Sequence, residues 1–138
     1  MRNHVAVGLL LMLCAGCSTD STSPTSNTTY SVFFGTLNAG LDVSACTNTV
    51  PGGLCAQTIN VKTDGSFHEV WAPSTPNLLQ VDGTLGPASV TAAFKCVATT
   101  AIGSMNATLS GSQYSGTATM SGKTVAVRVQ KGSSTNCS

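Results

Sequence analysis

From residue 30 to the C-terminus, the chain alternates apolar and small or polar side chains with a period of two, and glycine-containing pairs break the runs. Leu79, Val81, Gly83 and Leu85 fall on one side of such a run, and Gln80, Asp82 and Thr84 on the other. Val90, Ala92, Phe94 and Cys96 alternate with Ser89, Thr91, Ala93 and Lys95, and Val125, Val127 and Val129 alternate with Thr124, Ala126, Arg128 and Gln130. Successive side chains of an extended strand point to opposite faces, so each run is a half-buried β-strand. Asp64-Gly65, Gly86-Pro87, Gly111-Ser112 and Ser121-Gly122 separate the runs with residues that suit tight reversals. The cadence predicts strands over 30–37, 57–63, 66–71, 78–85, 88–96, 105–110, 113–120 and 123–130, and no helical period after residue 16. The fold class is all-β.

Four of the connections are short enough to be hairpins, so consecutive strands are expected to pair in an antiparallel meander. About eight such strands close into a small up-and-down barrel or, alternatively, pack as a β-sandwich. Closure removes exposed sheet edges and favours the barrel. In strand count and spacing this outline is similar to the calycin architecture of lipocalins and avidins. That resemblance implies carriage of a small molecule, although no lipocalin or avidin ligand motif is present.

The first 16 residues differ from the rest. Arg2 supplies a positive charge, residues 5–13 are apolar except for Gly8, and Ala15-Gly16 places small residues before Cys17. This is the order of a secretory signal peptide. The apolar run is about half the roughly 20 residues that a membrane-spanning helix needs. Leu13-Cys14-Ala15-Gly16-Cys17 resembles a lipobox, the motif of bacterial lipoprotein precursors, with Cys14 departing from the usual aliphatic residue. The resemblance implies that Cys17 receives a diacylglyceryl group and becomes the new N-terminus. In a Gram-negative envelope, Ser18 resembles the outer-membrane sorting pattern. Residues 18–29 (STDSTSPTSNTT) hold no side chain large enough to build a core, and their burial would not offset the entropy of ordering. The chain therefore divides into a signal peptide (1–16), a lipidated Cys with a Ser/Thr-rich tether (17–29) and one domain (30–138).

Cysteine usage fits export. Of six Cys, Cys14 leaves with the signal and Cys17 is acylated, so Cys46, Cys55, Cys96 and Cys137 remain for two disulfides. Four Cys allow three pairings. The expected one joins Cys46 to Cys55 across the Pro51-Gly52-Gly53 reversal, and Cys96 to Cys137 to fasten the tail. For about 110 residues with a modest core, such bridges add appreciably to stability.

Charge points to no polyanionic partner. Beyond residue 16, five basic residues (Lys62, Lys95, Lys123, Arg128, Lys131) balance five acidic ones without forming a stripe, so nucleic-acid binding lacks its electrostatic footprint. His68, beside the sole Glu (Glu69), is expected on a surface strand face, and no Gly-x-Ser-x-Gly elbow accompanies it. The domain is not expected to be an enzyme. The Cys spacing lacks the close pairs of a zinc site, so neither metal nor cofactor is expected. Trp71, Tyr114 and Phe67 would line a ligand cup if the barrel were open at one end. The long segment 38–54, carrying Cys46 and followed by Cys55, is either a stapled connection or a binding loop on a rigid sheet. The expected function is that of a membrane-tethered envelope lipoprotein acting as a binding or structural surface module. The alternative is a carrier of a small apolar ligand. Its expected partners are the membrane, through the lipid, and an envelope protein or such a ligand.

Overall fold

The structure, a computed structural model, describes residues 27–36, 39–46, 53–71, 79–96 and 102–137. The signal segment, Cys17 and nearly all of the tether lie outside the described residues, as do the loop centre at 47–52 and the segments 72–78 and 97–101. Eight strands form one sheet: β1 (Thr28–Phe34), β2 (Ala56–Val61), β3 (Ser66–Trp71), β4 (Leu79–Leu85), β5 (Ser89–Cys96), β6 (Ile102–Ser110), β7 (Gln113–Met120) and β8 (Lys123–Lys131). All ladders are antiparallel, in the order β2-β1-β8-β7-β6-β5-β4-β3. β1 pairs with β8, with Val32 opposite Val129, which bends the meander round into a nearly closed barrel. The expected β3 and β7 match the observed bounds. β1 begins at Thr28, so two residues assigned to the tether belong to the sheet, and β6 starts three residues before its apolar alternation becomes regular.

The period of two places the core. Val32 and Phe34, Ile59 and Val61, Phe67 and Trp71, Leu79 and Val81, Val90 to Cys96, Met105 and Ala107, Tyr114 to Met120, and Val127 and Val129 supply buried inward positions from every strand. Two narrow features make this small interior packable. Phe67 lies opposite Gly83, and a Cβ at Gly83 would collide with the Phe67 ring, so the glycine is the notch that the ring fills. At the β7–β8 hairpin Ser121 and Gly122 both have positive φ (53° and 76°), the two-residue reversal whose twist matches the strands.

β2 and β3 stand at the two ends of the sheet order although a tight turn joins them. That turn is held by Lys62 N–H to Ser66 O and Gly65 N–H to Lys62 O, both 2.9 Å, with Gly65 at φ 84°. Beyond it no ladder forms, and side chains bridge the seam instead. The Glu69 carboxylate accepts from the Asn60 backbone N–H (2.7 Å) and from Asn60 Nδ2 (3.1 Å). Trp71 Nε1 donates to Thr58 O at 3.2 Å. Side chains thus partner the Asn60 N–H and the Thr58 carbonyl at a join that has no backbone ladder.

Odd-numbered strands run toward one rim, where β1 ends, and the long β1–β2 connection folds over that rim. Leu41 is bridged to Leu54, and Leu41, Val43 and Cys46 are essentially inaccessible members of the core cluster. The segment is a plug. Its seating corrects the expected disulfides: Cys46 bonds Cys96, and Cys55 bonds Cys137, with Cα separations of 5.0 and 5.5 Å. The physical reason is direction. Cys96 closes an inward-facing row at the plugged rim, where only a residue entering the barrel mouth can meet it, and Cys46 does. Cys55 sits just before β2 on the same rim, and the tail reaches it after leaving β8 at the opposite end.

Candidate binding surface at the plugged rim

The plug leaves a cleft beside the β7–β8 hairpin. Its volume is about 500 Å³, and its lining includes Gly40, Asp42 and Ser44 from the plug, and Lys123, Thr124 and Val125 from the start of β8. Asp42 organises it. Its Oδ1 accepts from the Ser44 N–H (3.0 Å), a local Asx turn that shapes the plug, and its Oδ2 accepts from Lys123 Nζ (2.6 Å). The Lys123 hydrogen bond, followed by those of Ser44, holds the Asp42 carboxyl well below the usual carboxylate range. Asp42 is therefore ionised at any ordinary pH and ties plug to hairpin across 81 residues of sequence. Lys123 remains largely exposed, and an ammonium has three N–H donors, more than its contact with Asp42 uses. At Gly40 a Cβ would collide with the Leu54 carbonyl, so this close approach of the plug's two arms requires glycine.

A second cavity, of about 340 Å³, lies at the opposite rim among Thr28, Tyr30, Val61, Lys62, Gly65 and Leu85. Neither cavity reaches Trp71, Tyr114 or Phe67. The structure places those three inside the packed core, and not around one cup. Trp71 packs near the plugged rim, with ring centroids 5.7 Å from Phe34 and 6.0 Å from Phe94. Tyr114 lies at the far end, where its hydroxyl donates to Gly86 O at 2.8 Å and burial pushes its phenol pKa up. Phe67 fills the Gly83 notch.

His68 is on the outer face of β3, more than half exposed, and pairs with Asp82 directly across on β4 (2.5 Å). Ala93 follows Asp82 in the same row on β5, which puts Ser104, the next hydroxyl of that row, two strands away on β6. The His68–Asp82 pair is a cross-strand surface contact. Among the described residues, no three His, Cys, Asp or Glu side chains cluster as metal ligands would. No protein-family model, curated protein or solved structure matches this chain.

The described residues of the segment 38–54 thus supply the site's plug side, with Cys46 bonded to β5 and Cys55, just beyond the segment, bonded to the tail. Lys123 and Thr124 were not legible as its partners. The one available signal was the polar start of β8 beside a positive-φ hairpin, which marks an exposed corner.

Proposed function

We propose that the protein is a membrane-tethered envelope lipoprotein whose barrel presents the plugged rim as an interaction surface. One observation carries this reading: the interior is occupied by side chains and by the plug, while the polar cleft is outside the core, at the rim opposite the chain's entry. β1 begins at Thr28 and runs seven residues, roughly 20 Å at about 3.3 Å per residue, to the plugged end. A tether running from a lipidated Cys17 to Thr28 would hold the lower rim toward the membrane and turn the cleft outward. Two disulfides suit an exported domain. The cleft's balanced Asp42–Lys123 pair suits a neutral polar surface, such as a loop of another envelope protein. The carrier alternative loses its main support, because the aromatic residues that would line its cup are core.

Cys17→Ser tests the anchor. Expressed in a bacterium with lipoprotein processing, the wild-type protein is expected in the membrane fraction. The variant is expected unprocessed by the lipoprotein peptidase and without lipid. Incorporation of labelled fatty acid into wild type and its complete loss in the variant would support the anchor, and equal labelling of both would overturn it.

A further inference from the structure

The two disulfides occupy different environments. Cys46 and Cys96 are both 0% exposed and belong to the core cluster. Cys55 and Cys137 are both partly exposed and belong to no core cluster. The tail that carries Cys137 crosses the outer face of β1 at Ser31. Gly132 N–H donates to Thr29 O (3.0 Å), Ser31 Oγ donates to Gly132 O (2.9 Å), and Ser134 N–H donates to Ser31 Oγ (2.7 Å). Ser31 is 1% exposed, although its neighbours Val32 and Tyr30 are the ones that face the interior. Phe33 and Ala56, paired across β1 and β2, are likewise buried yet outside the interior cluster, and the Arg128 guanidinium lies 5.3 Å from the Phe33 ring centroid. Ser31 is thus covered by the tail, and Phe33 and Ala56 are buried on the same outer face, with Arg128 over the Phe33 ring.

We propose that this tail is a redox-releasable strap. The Cys55–Cys137 bridge opens to an external dithiol, such as a reduced thiol–disulfide oxidoreductase, while the barrel and the Cys46–Cys96 bridge stay intact. A thiolate of the dithiol attacks one sulfur of the pair, forming a mixed disulfide and expelling the other cysteine as thiolate. The second thiol of the reductant then attacks the mixed disulfide, leaves as part of the reductant's own disulfide, and frees the second cysteine. Two electrons pass from the dithiol to the protein, and the freed thiolates take up protons. Access of the attacking thiolate governs such exchange, and only the strap's sulfurs can be reached without unfolding. Release frees Ser31 from its bonds to Gly132 and Ser134 and opens the outer face of β1, which in the oxidised protein is covered there.

The oxidised mature protein can be treated with limiting dithiothreitol in native buffer, quenched with iodoacetamide and mapped by peptide mass. Cys55 and Cys137 are expected to be alkylated on the order of tenfold or more faster than Cys46 and Cys96, because access controls the exchange. Trp71 fluorescence, from the single Trp, is expected to stay native while they react. One common rate for all four Cys, or labelling that waits for loss of the native fluorescence, would overturn the proposal. Cys55→Ala with Cys137→Ala gives the second arm, read by amide hydrogen exchange. Loss of protection at Gly132 and Ser134 with β5, β6 and β7 still protected is expected. Retained protection at Ser134, or lost protection throughout the barrel, would overturn it.

Discussion

Trp71→Ala is expected to lower the unfolding free energy of the domain by about 3–5 kcal/mol, the range for truncating a large buried aromatic. Trp71 is 3% exposed, and its ring meets Phe34 and Phe94 in tilted and edge-on contacts that add to area burial. The substitution also removes the donor to Thr58 O, one of the side-chain bonds that close the β2–β3 seam where no ladder forms. A cavity at the plugged rim and a loosened seam therefore act together. Urea unfolding followed by far-ultraviolet circular dichroism measures the loss. A change below about 1 kcal/mol would show that Trp71 lines solvent-accessible space and not the core, since surface substitutions have effects of that size.

Removing the buried bridge has a comparable effect. Cys46→Ala with Cys96→Ala is expected to cost up to about 4 kcal/mol, the chain-entropy value for a cross-link spanning 50 residues. The pairing expected from sequence proximity would have constrained a much shorter loop, worth roughly 2–3 kcal/mol on the same account. The bridge also seats Leu41 and Val43 in the barrel mouth, so its loss should leave the plug the first part of the domain to open. The same urea titration checks the magnitude, and amide exchange at Leu41 and Val43 checks the location. A loss below about 1 kcal/mol with those amides still protected would show that the plug is held by packing alone.

Much of the barrel was legible because side-chain direction follows residue number in a strand. The rows ending in Leu85, Cys96 and Val129 name their inward faces directly, and Phe67 opposite Gly83 shows how one row accommodates the next. The plug was harder to see. Leu41, Val43 and Ala45 carry a short apolar alternation of their own, and Cys96 lies on the inward row of β5. Together these signs point to an inserted loop bonded to Cys96, but nearness in sequence favoured Cys55 as the partner of Cys46. Glu69 was a similar clue: a carboxylate between Phe67 and Trp71 on an inward row needs donors, and it finds them in Asn60 at the seam. The Asp42–Lys123 contact had no local sign, because residues far apart in the chain meet only once the plug is seated.

Asp42 is neutralised by Lys123, Asp64 is held in a turn by Ser66, and the His68–Asp82 pair is on an exposed strand face. What the fold offers is a nearly closed barrel with one rim shaped by a loop bonded to β5.

Native mass spectrometry of the protein extracted from membranes in mild detergent tests that claim most directly. The account predicts a chain that begins at an acylated Cys17, carries two disulfides, and holds no other molecule in the folded state. A small molecule retained reproducibly by the folded protein and released on unfolding would contradict it, because Trp71, Tyr114 and Phe67 would then share their interior with a ligand.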